Sequence, residues 1–534
     1  MDMRAQATDF SWRNPYAWPR KPLLAANTVS TTQPLAAQAG LQMLAEGGTA
    51  VDAILATAIT LSLVEPVSNG IGSDAYAIVW DGKRLHGINA SGRSPALWTL
   101  DYFSKYKSMP VRGWDTVTVP GCVQAWVDLH AKFGKLPFKK LFERAIQYGR
   151  EGFLVSPTIA GQWEKQVAEL KDQPGFAKAF LPNGRAPRAG ERFKFPAHAK
   201  VLEKISSSKG KAFYRGDLAE RMEAHAKKEG GAMRASDLAA NRLDWVKPLE
   251  MGYRGYTLHE IPPNGQGIVA LMALGMLEHF DLRACPVDGP DSLHLQMEAI
   301  KLAFADAKAY VADLDHMRNV RPEDLLDKSY LKARARLIDP KRAQSFGPGK
   351  PPKGGTVYLT AADASGMMVS YIQSNFMGFG SGVVVDGISL QNRGGTFVLQ
   401  PGHPNCVGPS KRPYQTIIPG FVTRDRKPVM SFGVMGGTMQ PQGHTQVMVR
   451  IADYGQSPQA ACDGPRFRFV QGMDISVEEG AFSSSTLEEL QRRGHRIVTV
   501  DDYNQFGSAQ LIWKLDGGYY VASDPRRDGQ AVGF

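Results

Sequence analysis

A chain of 534 residues with 43% hydrophobic and 22% charged side chains has the balance of a globular protein, which excludes a disordered, collagen-like or coiled-coil chain. The 63 basic residues exceed the 52 acidic ones by a net charge of +11, yet no run of five or more like charges supplies a nucleic-acid-binding arm. No 18-residue apolar stretch predicts a membrane span, and the N-terminus lacks the apolar core of a secretory signal, so a cytoplasmic protein with no nucleic-acid or membrane partner is expected. Cys122, Cys285, Cys406 and Cys462 are widely spaced and form no CxxC pair, so buried free thiols are expected, with no metal or cofactor.

Residues 1–22 read as a loosely ordered arm. Pro34 to Leu44 predicts an amphipathic helix stopped by Gly47-Gly48. The next helix, from Ala50 towards Pro66, is apolar nearly all round and hence buried. After the glycine turn Asn69 to Asp74, the runs Tyr76 to Trp80 and Arg84 to Asn89 flank Asp81-Gly82 and predict a hairpin. Residues 119–313 read as mainly helical, most clearly Leu293 to Val311, with a strand-like stretch at Gly252 to Pro262. Residues 340–355 crowd Pro, Gly and basic residues with little to bury, the composition of a mobile linker. Three hairpins are predicted beyond it: Thr356 to Asp363 with Met367 to Ile372, Gly420 to Thr423 with Val429 to Val434, and Ala509 to Lys514 with Tyr519 to Ala522. Helices are predicted near His444 to Tyr454 and Ser485 to Arg493. Hairpins imply antiparallel pairing, and two antiparallel sheets covered by helices are the simplest packing of this order.

No P-loop, HExxH or EF-hand is present, and the eleven histidines do not cluster at metal spacing. His444, in PQGHTQ, reads as a polar residue at a helix start. The unusual feature is a Gly-Gly linker ending directly on a strand that opens with Thr356. A hydroxyl nucleophile needs a base. Cleavage between Gly355 and Thr356 would free an α-amine, of ordinary pKa about 7.7–8.0, beside the hydroxyl of the same residue. One residue would then supply nucleophile and general base. Thr also opens many ordinary strands, so spacing alone leaves both readings open.

The ordered landmarks AAQAGLQMLAEGGTAVDA, VEPVSNGIGSDAYAIVW, SGRSP, TVYLTAADASG, FGSGVVV, LQNR, VGPSKRP, GVMGG and SDPR resemble the γ-glutamyltransferase (glutathione hydrolase) family of N-terminal nucleophile hydrolases. The resemblance implies an α+β fold, a four-layer αββα sandwich. It implies a precursor cut into residues 1–355 and 356–534, fragments that stay associated around one shared core. Thr356 resembles the family's nucleophile, and Gly436-Gly437 the pair whose N–H groups hold the oxyanion. Arg93 resembles the arginine that grips the substrate's α-carboxylate. The activity implied is hydrolysis or transfer of γ-glutamyl-type amides.

The departures concern substrate choice. Val357 and Tyr358 stand where glutathione-active members have a second Thr and a His. After the paired Asn392, Arg393 replaces the family's Gln and Thr396 its Asp, so an acid for the substrate ammonium is lost and a cation gained. Gln415-Thr416 replace paired serines, and Ser374-Asn375 lie near the family's substrate-contacting Asn. The segment from Phe397 to Gly408 is short, so the lid of some members is expected to be missing. The alternative substrate is therefore a non-glutamyl amide bearing a carboxylate, as in oxamate amidohydrolase-like or cephalosporin acylase-like relatives. An unprocessed, non-enzymatic relative is the remaining reading.

Overall fold

The computed structural model describes residues 15–16, 19–346 and 355–534. Most of the expected N-terminal arm, and residues 347–354 of the expected linker, lie outside the described residues.

Two sheets pack face to face, and their central strands are buried on both faces. The first runs, in spatial order, Leu23–Ala25, Gly518–Ser523, Ser508–Leu515, Lys427–Met435, Gly420–Arg424, Tyr256–Glu260, Leu249–Tyr253. The second runs Gln530–Gly533, Thr28–Thr31, Gly355–Ala362, Met368–Phe376, Asp74–Trp80, Leu85–Ala90, Asp244–Val246. Neighbouring strands in both are antiparallel, as the hairpin reading predicts. A smaller sheet was not predicted: Phe467–Gln471, Asp474–Glu478 and Arg496–Val500, whose last two strands are parallel and joined through the helix Ser484–Arg492.

Strand periodicity assigns each side chain to a layer. On the strand Gly355–Ala362, Val357, Leu359 and Ala361 join the helix-covered core, whereas Tyr358 and Ala362 face the other sheet. On the strand Lys427–Met435, Met430, Phe432 and Val434 meet their helices, whereas Met435 faces inward. The helix Ala50–Val64 is buried along its whole length, and a capping box starts it: Asp52 N–H donates to Thr49 Oγ1 (3.2 Å) and Thr49 N–H to Asp52 Oδ2 (2.9 Å). Gly267–Leu277, Pro290–Tyr310 and Met439–Ala452 cover the first sheet. The order is therefore helix, sheet, sheet, helix.

Small residues and hydroxyls let the sheets approach. A Cβ on Gly433 would lie 2.4 Å from the Tyr358 ring, so that ring rests on bare backbone of the opposite sheet. Tyr358 Oη and Ser370 Oγ are 2.7 Å apart, and Thr360 Oγ1 lies 2.7 Å from Ser431 Oγ across the sheets. The strand Gly355–Ala362 is hydrogen-bonded between Thr28–Thr31 and Met368–Phe376, so segments from both sides of Gly355 interleave in one sheet.

Part of the stretch read as a mobile linker is anchored. Ala343 N–H donates to Arg493 O (2.7 Å) and Gln344 N–H to Glu298 Oε2 (3.0 Å). All four cysteines are free; Cys122 and Cys462 are buried as expected, whereas Cys285 and Cys406 are partly exposed. Among the described residues, no helix is long and apolar enough to cross a membrane.

Gly433→Ala forces its methyl into the Tyr358 ring, an overpacking that costs about 1–3 kcal/mol. A lowered Tm in thermal unfolding followed by circular dichroism is expected; an unchanged Tm contradicts the contact.

Candidate active site

The strand Gly355–Ala362 starts irregularly. Gly355 lies opposite Phe376, but from Val357, opposite Gln373, the register has slipped by one, leaving a bulge at Thr356. Phe376 adopts φ +77°, a left-handed conformation that costs a bulky residue strain. The chain therefore bends out of the sheet where the predicted nucleophile enters it.

The adjacent turn is Gly436-Gly437, between the strand Lys427–Met435 and the helix Met439–Ala452. Its φ values, +125° and +62°, suit glycine. Its carbonyls are engaged: Met439 N–H donates to Gly436 O (3.1 Å), and Gln266 Nε2 donates to Gly437 O (2.8 Å) and to Thr416 O (2.6 Å). Neither glycine N–H donates a hydrogen bond among the described residues. Two unspent donors at a helix start suit a developing oxyanion.

Arg393 is wholly buried, and its guanidinium lies over the Phe376 ring, 4.5 Å from the centroid. Nη1 donates to Thr416 Oγ1 (2.7 Å), while Nε and Nη2 have no hydrogen-bond partner. Asp74 Oδ2 stands 3.9 Å from Nε. Asp74 is also wholly buried; it accepts from Gly92 N–H (3.1 Å) and Gln415 Nε2 (3.0 Å). Burial raises its pKa to about 6, against the opposing pull of Arg393. Burial also lowers the Arg393 pKa to about 10, with Asp74 opposing. The cation gained at position 393 thus has a carboxylate behind it, and two of its nitrogens remain unspent.

The other predicted residues divide into partners and supports. Gln415 and Thr416 both touch the cradle, as above. Thr396 holds the backbone instead, donating to Arg393 O (2.8 Å) and Tyr414 O (2.6 Å). Asn392 is spent on main chain: its Nδ2 donates to Val111 O (2.8 Å), and its Oδ1 accepts from Met377 N–H (3.1 Å). Ser374 Oγ accepts from Phe376 N–H (2.8 Å), bracing the strained turn. Asn375 Oδ1 accepts from Ser73 Oγ (2.8 Å), while its buried Nδ2 has no partner. Arg93 faces Asp244 at 3.6 Å, a carboxylate that also pairs with Arg412. Burial, with Arg412 nearby, lowers the Arg93 pKa.

Sequence reasoning missed Asp74, Gln266 and the pair Glu260–His444. Asp74 carried one signal, a carboxylate opening the otherwise apolar strand DAYAIVW. His444 is not at a helix start but inside the helix Met439–Ala452, and it is fully buried. Its Nε2 accepts from Val434 N–H (3.2 Å), so Nδ1 carries the proton towards Glu260 Oε1, 2.6 Å away. Burial lowers the His444 pKa to about 3 and raises that of Glu260 well above its ordinary value. This link braces the strand that delivers Gly436-Gly437.

The fold also gathers His294, Glu298 and His495, distant in sequence, within ligand distance of one another. Lys301 Nζ lies 2.7 Å from Glu298 Oε1 and 3.4 Å from His495 Nδ1, so an ammonium already answers the carboxylate.

With this geometry in hand, likeness to known proteins becomes informative. The gamma-glutamyltranspeptidase family profile matches residues 36–534, and the chain belongs to that family. It is 35% identical over 511 residues to a glutathione hydrolase-like proenzyme, YwrD, of Bacillus subtilis, covering 94% of this chain and 97% of that one. It is also 35% identical over 518 residues to an oxamate amidohydrolase proenzyme of Klebsiella pneumoniae, covering 94% and 97%. The crystal structure of a cephalosporin acylase from Bacillus halodurans superposes with a TM-score of 0.93 at 44% identity, covering 99% of each chain. The chain is an enzyme of the N-terminal nucleophile hydrolase class, with the α+β sandwich that the resemblance implied.

Arg393→Met leaves Asp74 buried without its cation, a loss of about 3–5 kcal/mol when the carboxyl is ionised. A carboxyl whose folded pKa is raised favours the fold when protonated, and that support fades as pH rises through about 6. The fall in Tm relative to wild type is therefore larger at pH 8 than at pH 5. Equal losses at both pH values contradict the buried pair.

Proposed function

We propose that the chain is a self-processing amidohydrolase and acyltransferase that cleaves itself between Gly355 and Thr356, then turns over amides whose acyl part carries a carboxylate. The carrying observation is Arg393: buried, over Phe376, with Nε and Nη2 unspent. A guanidinium edge accepts a carboxylate through two parallel hydrogen bonds. Relatives named for amide cleavage support the reading.

In this mechanism the Thr356 hydroxyl attacks the amide carbonyl while the Thr356 α-amine takes its proton. The N–H groups of Gly436 and Gly437 hold the oxyanion, each donor lowering the barrier by about 2.7–4 kcal/mol. The ammonium returns the proton to the departing nitrogen, leaving an acyl ester on Thr356. Water, or an acceptor amine, then attacks that ester with the α-amine again as base. Self-cleavage is the related acyl shift of the Gly355 carbonyl onto the Thr356 hydroxyl, followed by hydrolysis.

γ-Glutamyl amides are one such class, but they also bring an ammonium. Asp74 is the carboxylate beside Arg393, and it already accepts from Gly92 and Gln415. That favours the second reading, a non-glutamyl acyl group such as the oxalo group of oxamate or glutaryl.

Wild-type protein on a denaturing gel should give two bands, the smaller beginning at Thr356, whereas Thr356→Ala stays whole. An intact active chain contradicts the proposal. A panel of γ-glutamyl-4-nitroanilide, glutaryl-4-nitroanilide and oxamate, followed by release of nitroaniline or ammonia, ranks the acyl groups.

A further inference from the structure

One buried amide joins the two halves of the site. Gln266 stands at the N-cap of the helix Gly267–Leu277, where a side-chain oxygen ordinarily accepts from a helix N–H, yet its side chain makes no such bond. The whole amide is spent on other segments instead. Nε2 donates to Thr416 O (2.6 Å) and to Gly437 O (2.8 Å), and Oε1 accepts from the Tyr414 hydroxyl (3.3 Å). Two carbonyl oxygens can face only the NH2 end of an amide, and a hydroxyl donating to the other end fixes the same orientation. Gln266 is wholly buried, so no water competes for these bonds.

The main chain around Gln266 is held as firmly. Its N–H donates to Gln415 O (2.9 Å), and Gln415 N–H donates to Asn264 O (2.9 Å). A Cβ on Gly267 would stand 2.7 Å from Glu260 Cβ, so the segment is wedged against the residue that pairs with His444. The two carbonyls that Gln266 grips belong to different parts of the site. Thr416 accepts from Arg393 through Oγ1, whereas Gly437 belongs to the turn with the unspent N–H groups. Gln440 makes a neighbouring link, its Oε1 accepting from Ile418 N–H (2.9 Å) and its own N–H donating to Gly437 O (3.2 Å). That link reaches two residues beyond Thr416, while Gln266 takes hold of the residue that touches Arg393.

We propose that Gln266 is a positioning residue that fixes the span between the acyl-side guanidinium and the oxyanion donors, and so sets the length of acyl chain that the enzyme turns over. The inference rests on the reading of Arg393 as the carboxylate anchor and of Gly436-Gly437 as the oxyanion donors. Both hydrogens of the amide leave one nitrogen, so Thr416 O and Gly437 O are held within two hydrogen-bond lengths of each other. An acyl chain anchored at Arg393 then presents its carbonyl to the turn only when the number of methylenes between carboxylate and carbonyl fits that span. One methylene too many or too few displaces the carbonyl by about 1 Å, a misplacement that costs about a hundredfold in rate.

The test presents processed wild-type enzyme with the acyl group that the panel ranks first and with homologues differing by one methylene, all as 4-nitroanilides. Wild type should prefer one length by at least tenfold in kcat/KM. Gln266→Met, of similar volume but without a donor, should lower kcat on the preferred length at least tenfold and bring the ratio between lengths close to one. Calorimetric titration with the free acid of the preferred acyl group, glutarate where glutaryl ranks first, should give an affinity within twofold of wild type, because Arg393 keeps both Thr416 Oγ1 and Asp74. Tyr414→Phe removes only the hydroxyl at Oε1; it should move the length ratio in the same direction, and it decides the question if Gln266→Met does not fold or process. A wild type indifferent to acyl length, a length ratio that neither substitution moves, or a kcat and free-acid affinity that fall together overturns the proposal while leaving Thr356 chemistry intact. A wild type that neither splits nor turns over any anilide sinks the Thr356 reading, and this inference with it.

Discussion

The contact between the Tyr358 ring and the bare backbone of Gly433 sets the distance between the two sheets beside the start of the strand Gly355–Ala362. Tyr358 lies two residues after Thr356, and Gly433 three before Gly436. Any side chain at 433 would push the strands apart and carry the glycine turn away from the strand start. The hydroxyl pairs Tyr358–Ser370 and Thr360–Ser431 continue the same close approach with polar groups that satisfy each other. The interface between the sheets is therefore the frame on which a strand terminus and a set of backbone donors are held in register.

On that frame the electrostatics are arranged by burial. Asp74 and Arg393 are both wholly enclosed, and each is shifted towards its neutral form by loss of water, with the partner charge only partly opposing. At 3.9 Å they attract without saturating each other, so the guanidinium keeps donors to spend. A fully matched ion pair would leave no donors free; the incomplete match is what the proposed binding of a carboxylate rests on. Arg468 is likewise buried, with no carboxylate to offset the cost.

Local pattern made much of the architecture legible. The run Ala50–Val64, apolar nearly all round, read as an interior helix, and Thr356 to Asp363 with Met367 to Ile372 read as a hairpin, as the structure has them. Short strands such as Leu23–Ala25 and Gln530–Gly533 gave no comparable signal, because three or four residues carry too little periodicity. The parallel pair Asp474–Glu478 and Arg496–Val500 escaped a hairpin-based reading, since its partners are joined by a helix. Of the site residues, Gly436, Gly437, Gln415, Thr416 and Arg393 come together, whereas Arg93 is engaged by Asp244 and Asn392 by main chain.

By itself the sequence determined the family, the two-sheet sandwich and the Gly-Thr junction, because each is written in residues adjacent along the chain. Only the tertiary structure decided that Asp74 stands behind Arg393, that Gln266 grips both Thr416 and Gly437, and that Arg468 and Gly436 line one cavity. Those pairings join segments tens to hundreds of residues apart, and a charge reveals whether it is spent only when every neighbour that could answer it has been folded into place.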